Sequence, residues 1–266
     1  MATGAYVGVD DKARKLKSIY VGVDSVARKV KSGYVGVNGV ARQFWQTGTP
    51  ISDLAVGDSV YMNVDGVSTE FLVVHQGRPS TTYDSSCNGT WLLMKDIYIK
   101  QSWYTSNNNN YSGSTVHTYL NNTFAGLLDS DIKNIIKQVK IPYTNGKGTS
   151  GTLATGSSGL STKIFLLSRN ETGAKNLDSG VANQEGTALN YFVGSDGSLE
   201  RRIAYFDGTA TGWYTRSPYI GNDTQACYVS QTGQSLMTYT RNQQGIRPAL
   251  ILPSTTLVDS NFNVIA

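Results

Sequence analysis

The sequence predicts an α+β domain with much irregular structure, preceded by a short segment of β-hairpin repeats. Three observations predict it: a repeat of period 14 within the first 45 residues, apolar runs of strand length bounded by turn residues, and two stretches of helical spacing between those runs. With 266 residues, 39% of them hydrophobic, the chain suits one large domain plus an appendage. The repeats occupy residues 1–48 and the globular domain residues 49–266.

The repeat units begin Tyr6-Val-Gly-Val-Asp, Tyr20-Val-Gly-Val-Asp and Tyr34-Val-Gly-Val-Asn, and each continues into Ala-Arg and a basic or apolar tail. A β-prone run meets a turn at Asp10-Asp11-Lys12, Asp24-Ser25 or Asn38-Gly39, so each unit reads as a small hairpin. A lone hairpin is marginal in water, so the units must stack on one another, on the domain or on neighbouring chains. A homotrimer is the expected assembly. Residues 1–45 hold eight Lys and Arg against Asp10, Asp11 and Asp24, a balance of +5, which leaves fifteen bases against sixteen acids, −1, for the rest. The net charge of +4 is therefore a property of the repeats. They contain no cluster of five or more bases, which argues against nucleic acid as a partner.

Phe44 to Pro50 reads as the junction, and the domain begins near Ile51. Ser59 to Val64, the turn Asp65-Gly66 and Ser68 to His75 predict a hairpin whose second strand ends continuously apolar. Trp91 to Met94 reads as a buried strand. Ser114 to Leu120 and Asp129 to Lys140 show helical spacing, with Asp129 or Ser130 as cap and Ile132, Ile135, Ile136 and Val139 on one face. A loop rich in Gly, Ser and Thr over 144–161 leads to the apolar strand Lys163 to Ser168, and short strands punctuated by turns continue to the end. Asn107 to Asn110 reads as a loop tip.

No stretch approaches 18 consecutive apolar residues and the N-terminus lacks an apolar signal region, so neither membrane insertion nor a signal peptide is expected. Cys87 and Cys227 lie 140 residues apart with no histidine cluster nearby, which excludes zinc spacing. They read as two thiols, with a single bridge left open. His75 and His117 have no nucleophile motif beside them, and Glu is confined to Glu70, Glu171, Glu185 and Glu200. No catalytic residues, no cofactor and no metal are expected. A glycan-processing enzyme using Asp84, Asp96, Asp207 or Glu200 is the enzymatic alternative.

Several phrases occur together in order: Gly89-Thr-Trp-Leu-Leu, Tyr119-Leu-Asn, Ile164-Phe-Leu-Leu-Ser, Trp213-Tyr-Thr-Arg-Ser-Pro and Gly245-Ile-Arg-Pro-Ala-Leu. Over roughly residues 51–255 the chain resembles the C-type-lectin-like domains of phage tail proteins and of variable proteins of diversity-generating retroelements. The repeats likewise resemble segments of phage tail proteins. The resemblance implies a C-type-lectin-like fold and a non-enzymatic, receptor-binding, tropism-determining role in the virion, acting outside the cell on a bacterial surface protein or glycan. Residues 1–48 would then attach the chain to phage tail proteins. The familiar lectin calcium triplets are missing, so a calcium-independent site is expected. The implied ligand-binding face comprises Tyr214, Tyr219, Asn222, Asp223, Gln225, Tyr228, Gln231, Gln234, Tyr239, Arg241 and Asn242, a mixture of aromatic and short polar groups suited to recognition. Trp213, Ala226, Val229, Gly233, Ile246, Pro248 and Leu250 would be scaffold, with Arg216 and Arg247 as buried ion-pair or carbonyl partners. The alternative role is a structural tail or baseplate protein that uses the domain for assembly alone.

Overall fold

Ten strands in two five-stranded sheets carry the domain. In chain order they are β1 (Ser59–Val64), β2 (Val67–Gln76), β3 (Thr90–Met94), β4 (Ile99–Ser102), β5 (Ile164–Phe165), β6 (Trp213–Pro218), β7 (Gln225–Val229), β8 (Ser235–Tyr239), β9 (Gln243–Ile246) and β10 (Ala249–Leu252). The first sheet has the order β5-β10-β3-β2-β1 and the second β4-β9-β6-β7-β8. This computed structural model describes residues 6–9, 12–15, 19–23, 25–30, 32–37, 40–46, 48–174, 185–193 and 199–265.

The first sheet is covered on both faces. Val60, Phe71, Val73, Leu92, Leu250 and Leu252 join one apolar cluster with Tyr214, Ala226 and Ile246 of the second sheet and with helical Val116, Leu120 and Phe124. Leu72, Val74, Trp91, Leu93 and Ile251 point the other way, into a second cluster with Tyr83, Phe165 and Leu189. Double burial explains why β3 and β10 read as continuous apolar runs with no polar alternation.

The expectation of an α+β, C-type-lectin-like fold is corrected by the structure. Strands account for 41% and helices for 18%, and among the described residues only one helix reaches seven residues, so the domain is predominantly β. The first helical stretch forms α1 (Thr115–Tyr119), capped by Ser114 Oγ, which accepts from the His117 N–H at 3.0 Å, and continues through a π segment to Leu127. The second forms only α2 (Ser130–Ile135). Ile136 turns extended, the Lys137 N–H donates to Ile251 O at 3.0 Å, and Val139–Ile141 pairs with Leu160–Thr162. Branched Ile and Val suit a pleated strand as well as a helix face, and long-range pairing decided between them.

The Arg-Pro-Ala-Leu phrase marks a crossing between sheets. β9 lies in the second sheet and β10 in the first, joined by Arg247-Pro248, while β3 and β4 make the reverse passage beside them. Pro248 O accepts from the Met94 N–H at 2.9 Å and Arg247 Nε donates to Met94 O at 2.8 Å. Proline has no N–H to leave unpaired where the chain leaves one ladder for another. At the domain's ends, Thr49–Pro50 pairs with Leu257–Val258, which pairs in turn with Val264–Ile265.

Each N-terminal repeat is a two-stranded antiparallel hairpin: Tyr6–Val9 with Lys12–Lys15, Tyr20–Val23 with Val26–Lys29, and Ser32–Val37 with Val40–Gln46. Of the expected turn residues, Asp10, Asp11, Asp24, Asn38 and Gly39 lie outside the described residues. In the middle hairpin neither face is covered, with Tyr20 60% and Val26 58% exposed. No helix among the described residues is long and apolar enough to cross a membrane.

Candidate functional site

The second sheet rests on a buried polar centre. Arg216 of β6 is fully buried and donates Nη1 and Nη2 to the two carboxylate oxygens of Glu171, both at 2.6 Å. Its Nε donates to Pro142 O and Nη1 also to Leu166 O, each at 2.9 Å. Glu171 accepts further from Tyr83 Oη at 2.8 Å and from the Ser168 N–H at 2.9 Å. Burial alone disfavours the Arg216 charge, but Glu171 opposite holds its pKa above the usual range. Beside it, burial pushes the Glu185 carboxyl up, against the pull of Arg216 and of hydrogen bonds donated by Ser217 Oγ and the Thr144 N–H, each at 2.5 Å. This network ties the loop segments around Pro142, Leu166 and Glu185 to the strand beneath the predicted face.

A second buried group organises one end of that face. Asn109 is fully buried, and its Nδ2 donates to the carbonyls of Tyr219, Asn222 and Gln225 at 2.9, 3.0 and 2.8 Å. Its Oδ1 accepts from the Gly148 N–H at 2.8 Å. Gly148 packs so closely that a Cβ there would lie 2.1 Å from Tyr219 O, so only glycine fits. Three loops are therefore locked together through one amide. The Asn107–Asn110 stretch, expected as a mere tip, is an anchor, and nothing in its local pattern distinguishes Asn109 from its neighbours.

The predicted site residues divide. Tyr214 is a correction: it is fully buried, it stacks on Trp103 at 6.2 Å, and its hydroxyl donates to Tyr239 O and Asn242 O, both at 2.9 Å. A side chain of alternating parity on a two-sided sheet belongs to one cover or the other, and Tyr214 falls on the core side. It supports the 239–242 turn from below instead of meeting a ligand. Tyr219, Asn222, Asp223, Gln225, Tyr239, Arg241 and Asn242 gather at the end of the β7–β8 hairpin where Asn109 sits. Tyr239 is 51% exposed, Arg241 and Asn242 are exposed, and the others are half-buried. Asn222 Oδ1 accepts from the Thr224 N–H at 2.9 Å, Asp223 Oδ1 from the Thr149 N–H at 3.0 Å, and Asn242 Nδ2 donates to Thr238 Oγ1 at 2.8 Å. The Thr149 hydroxyl also donates to Asp223 and holds its carboxyl below the usual range. Tyr228 is half-buried in mid-strand, facing Leu236. Gln231 and Gln234 are exposed in the opposite turn, roughly 15 Å away along the strands. Leu236, 40% exposed on β8, was missed. Its signal was its register opposite Tyr228, visible only once β7 and β8 are paired.

The remaining groups have local roles. Asp84 Oδ1 accepts from the Ser86 N–H at 2.9 Å, and Asp96 Oδ1 from the Tyr205 N–H at 3.3 Å. Asp207 occupies a turn at φ 49°, and Glu200 lies in the short helix Leu199–Arg202. Burial lowers the pKa of both His75 and His117. Cys87 and Cys227 are unbridged and buried, which pushes their thiols up to about 11 and about 12. Among the described residues no three His, Cys, Asp or Glu side chains group to hold a metal ion.

Residues 88–254, more than half of the chain, match a family described as a domain of unknown function, DUF6273. No curated protein and no solved structure matches the chain.

Proposed function

The chain belongs to the DUF6273 family; for its role, we propose that it is a non-enzymatic receptor-binding protein of phage type. Its domain presents the end of the β7–β8 hairpin to a bacterial surface molecule, while the basic repeats over 1–48 dock to tail proteins and gather chains into a homotrimer. It acts in the virion, outside the cell. The sequence phrases resembling phage tail and retroelement variable proteins support the role, and the role does not depend on a lectin-like scaffold.

One observation carries this reading. Asn109 and Tyr214 pin the 219–225 and 239–242 turns from beneath, leaving Tyr239 and Arg241 outward on a preorganised support. Aromatic and Arg side chains held rigidly lose little entropy on binding and are the groups that most often dominate interface energy. A second reading, an assembly component of the tail, is favoured by the uncovered Tyr20, Val21 and Val26 of the middle hairpin.

The two readings separate in one comparison. Wild-type protein and the Tyr239→Ala/Arg241→Ala variant are titrated onto a panel of bacterial isolates and read by flow cytometry, with melting followed in parallel. Receptor binding predicts at least about tenfold weaker attachment at unchanged melting temperature. Equal attachment by both proteins, or attachment by neither, moves the assignment to the assembly component.

A further inference from the structure

β8 is the end strand of the second sheet, and its free edge differs from the three other sheet edges. β5 is only two residues long, β1 is met by bridges from Asn263 and Leu128, and β4 carries Lys100. Short length, coverage and lysine are the usual protections against edge pairing. β8 reads Ser-Leu-Met-Thr-Tyr, with neither charge nor proline, and among the described residues no strand lies beyond it.

The register shows which backbone groups are open. The Thr240 N–H donates to Thr224 O at 2.9 Å and the Ser230 N–H to Gln234 O at 2.7 Å, so the hydrogen-bonded pairs of this hairpin are the even-numbered ones. Leu236 and Thr238 are thus bonded inward to β7, while the main chain of Met237 and the N–H of Tyr239 face the free edge; Ser235 is buried, and Tyr239 O already accepts from the Tyr214 hydroxyl and the Asn242 N–H. Consistently, Thr215 Oγ1 donates to Cys227 O at 3.0 Å, which places the odd-numbered carbonyls of β7 toward β6. Alternate N–H and C=O groups at a spacing of about 7 Å match one ligand chemistry, an extended polypeptide. Side chains flank this edge on both faces: Leu236, opposite Tyr228, on one, and half-buried Met237 with exposed Tyr239 on the other.

We propose that β8 is a strand-addition site: an extended polypeptide segment with apolar side chains pairs with the main chain of Met237 and with the Tyr239 N–H. This rests on the receptor-binding reading and narrows it, because it makes the receptor a protein and not a glycan. Arg241, exposed just beyond the strand, adds a preference for an acidic residue at one end of the docked segment.

The test uses the full chain, immobilised, and a displayed library of linear random decapeptides as the probe. Selection is expected to recover peptides of alternating apolar pattern whose binding slows amide exchange at Met237 and Tyr239. Met237→Pro removes one outward N–H without touching the bonds to β7, and is expected to weaken those peptides at least about tenfold. Met237→Lys, which keeps the backbone and adds a charge to the edge, should weaken them in the same direction. Recovery of no peptide above background, or of peptides that leave the two amides exchanging freely, overturns the proposal. So does a protein dimer that Met237→Pro dissolves, since the occupant is then a second copy. Attachment to cells that survives protease treatment of the cells yet is lost in Tyr239→Ala/Arg241→Ala would sink strand addition and leave the receptor-binding reading standing.

Discussion

Two hairpins of this chain are nearly matched in length and in their aromatic and β-branched content, yet they stand at opposite ends of burial. In the middle N-terminal hairpin every described residue of Tyr20–Val23 and its partner strand is exposed. In the β7–β8 hairpin, Ala226, Cys227, Val229 and Ser235 are buried, and both bounding turns are bonded to residues distant in sequence. Local sequence suffices to make a hairpin; a covered face and an anchored turn make a surface with a defined shape. A binding face needs the second kind, because side chains that must be ordered on contact lose affinity to the cost of ordering.

The sharpest way to break the comparison is to remove the anchor. Arg216→Met leaves the Glu171 carboxylate buried without its counter-ion and should cost about 3–5 kcal/mol in a urea melt of the domain. Pairing it with Glu171→Met, which removes the stranded charge, should restore much of the loss, and a double variant as weak as the single one would assign the cost to packing instead.

Asn109→Ala should cost less in stability, about 1–3 kcal/mol for carbonyls left without a donor. It should also speed amide exchange in 219–225 more than in β7 itself. Uniform exchange across the hairpin would mean that the turn holds its shape without the anchor. The smallest effect belongs to the other hairpin: Tyr20→Ala touches a side chain 60% exposed and should change stability by less than about 0.5 kcal/mol in the monomer. A larger, concentration-dependent loss would place Tyr20 in a contact between chains, and so would sharpen the trimer assignment.

The comparison also marks where sequence reading works. The repeats were legible because every signal is local: a β-prone run, a turn residue and a returning strand fall within 14 positions. β1 and β2 were legible for the same reason, through the Asp65-Gly66 turn. The helix expected over 129–140 was half right, because the apolar spacing that builds a helix face also fits a strand, and contact with Ile251 and Leu160–Thr162 decided where it ended. In the candidate face, the resemblance named Tyr239 and Arg241, which the structure leaves exposed. Tyr214 could not be separated from them, since its burial depends on Trp103 and on turns beyond β8.

What the sequence determined by itself was therefore the hairpin periodicity, the charge confined to the repeats and the buried strand at Trp91 to Met94. Only the tertiary structure decided that the domain is predominantly β, that Asn109 holds three loops, and that β8, uncharged, is the end strand of its sheet among the described residues. The physical reason is distance along the chain. Propensity and turn chemistry act over a few residues. The bond from Asn109 to Gln225 spans 116 positions, and a strand is at an edge only because every other strand has been placed.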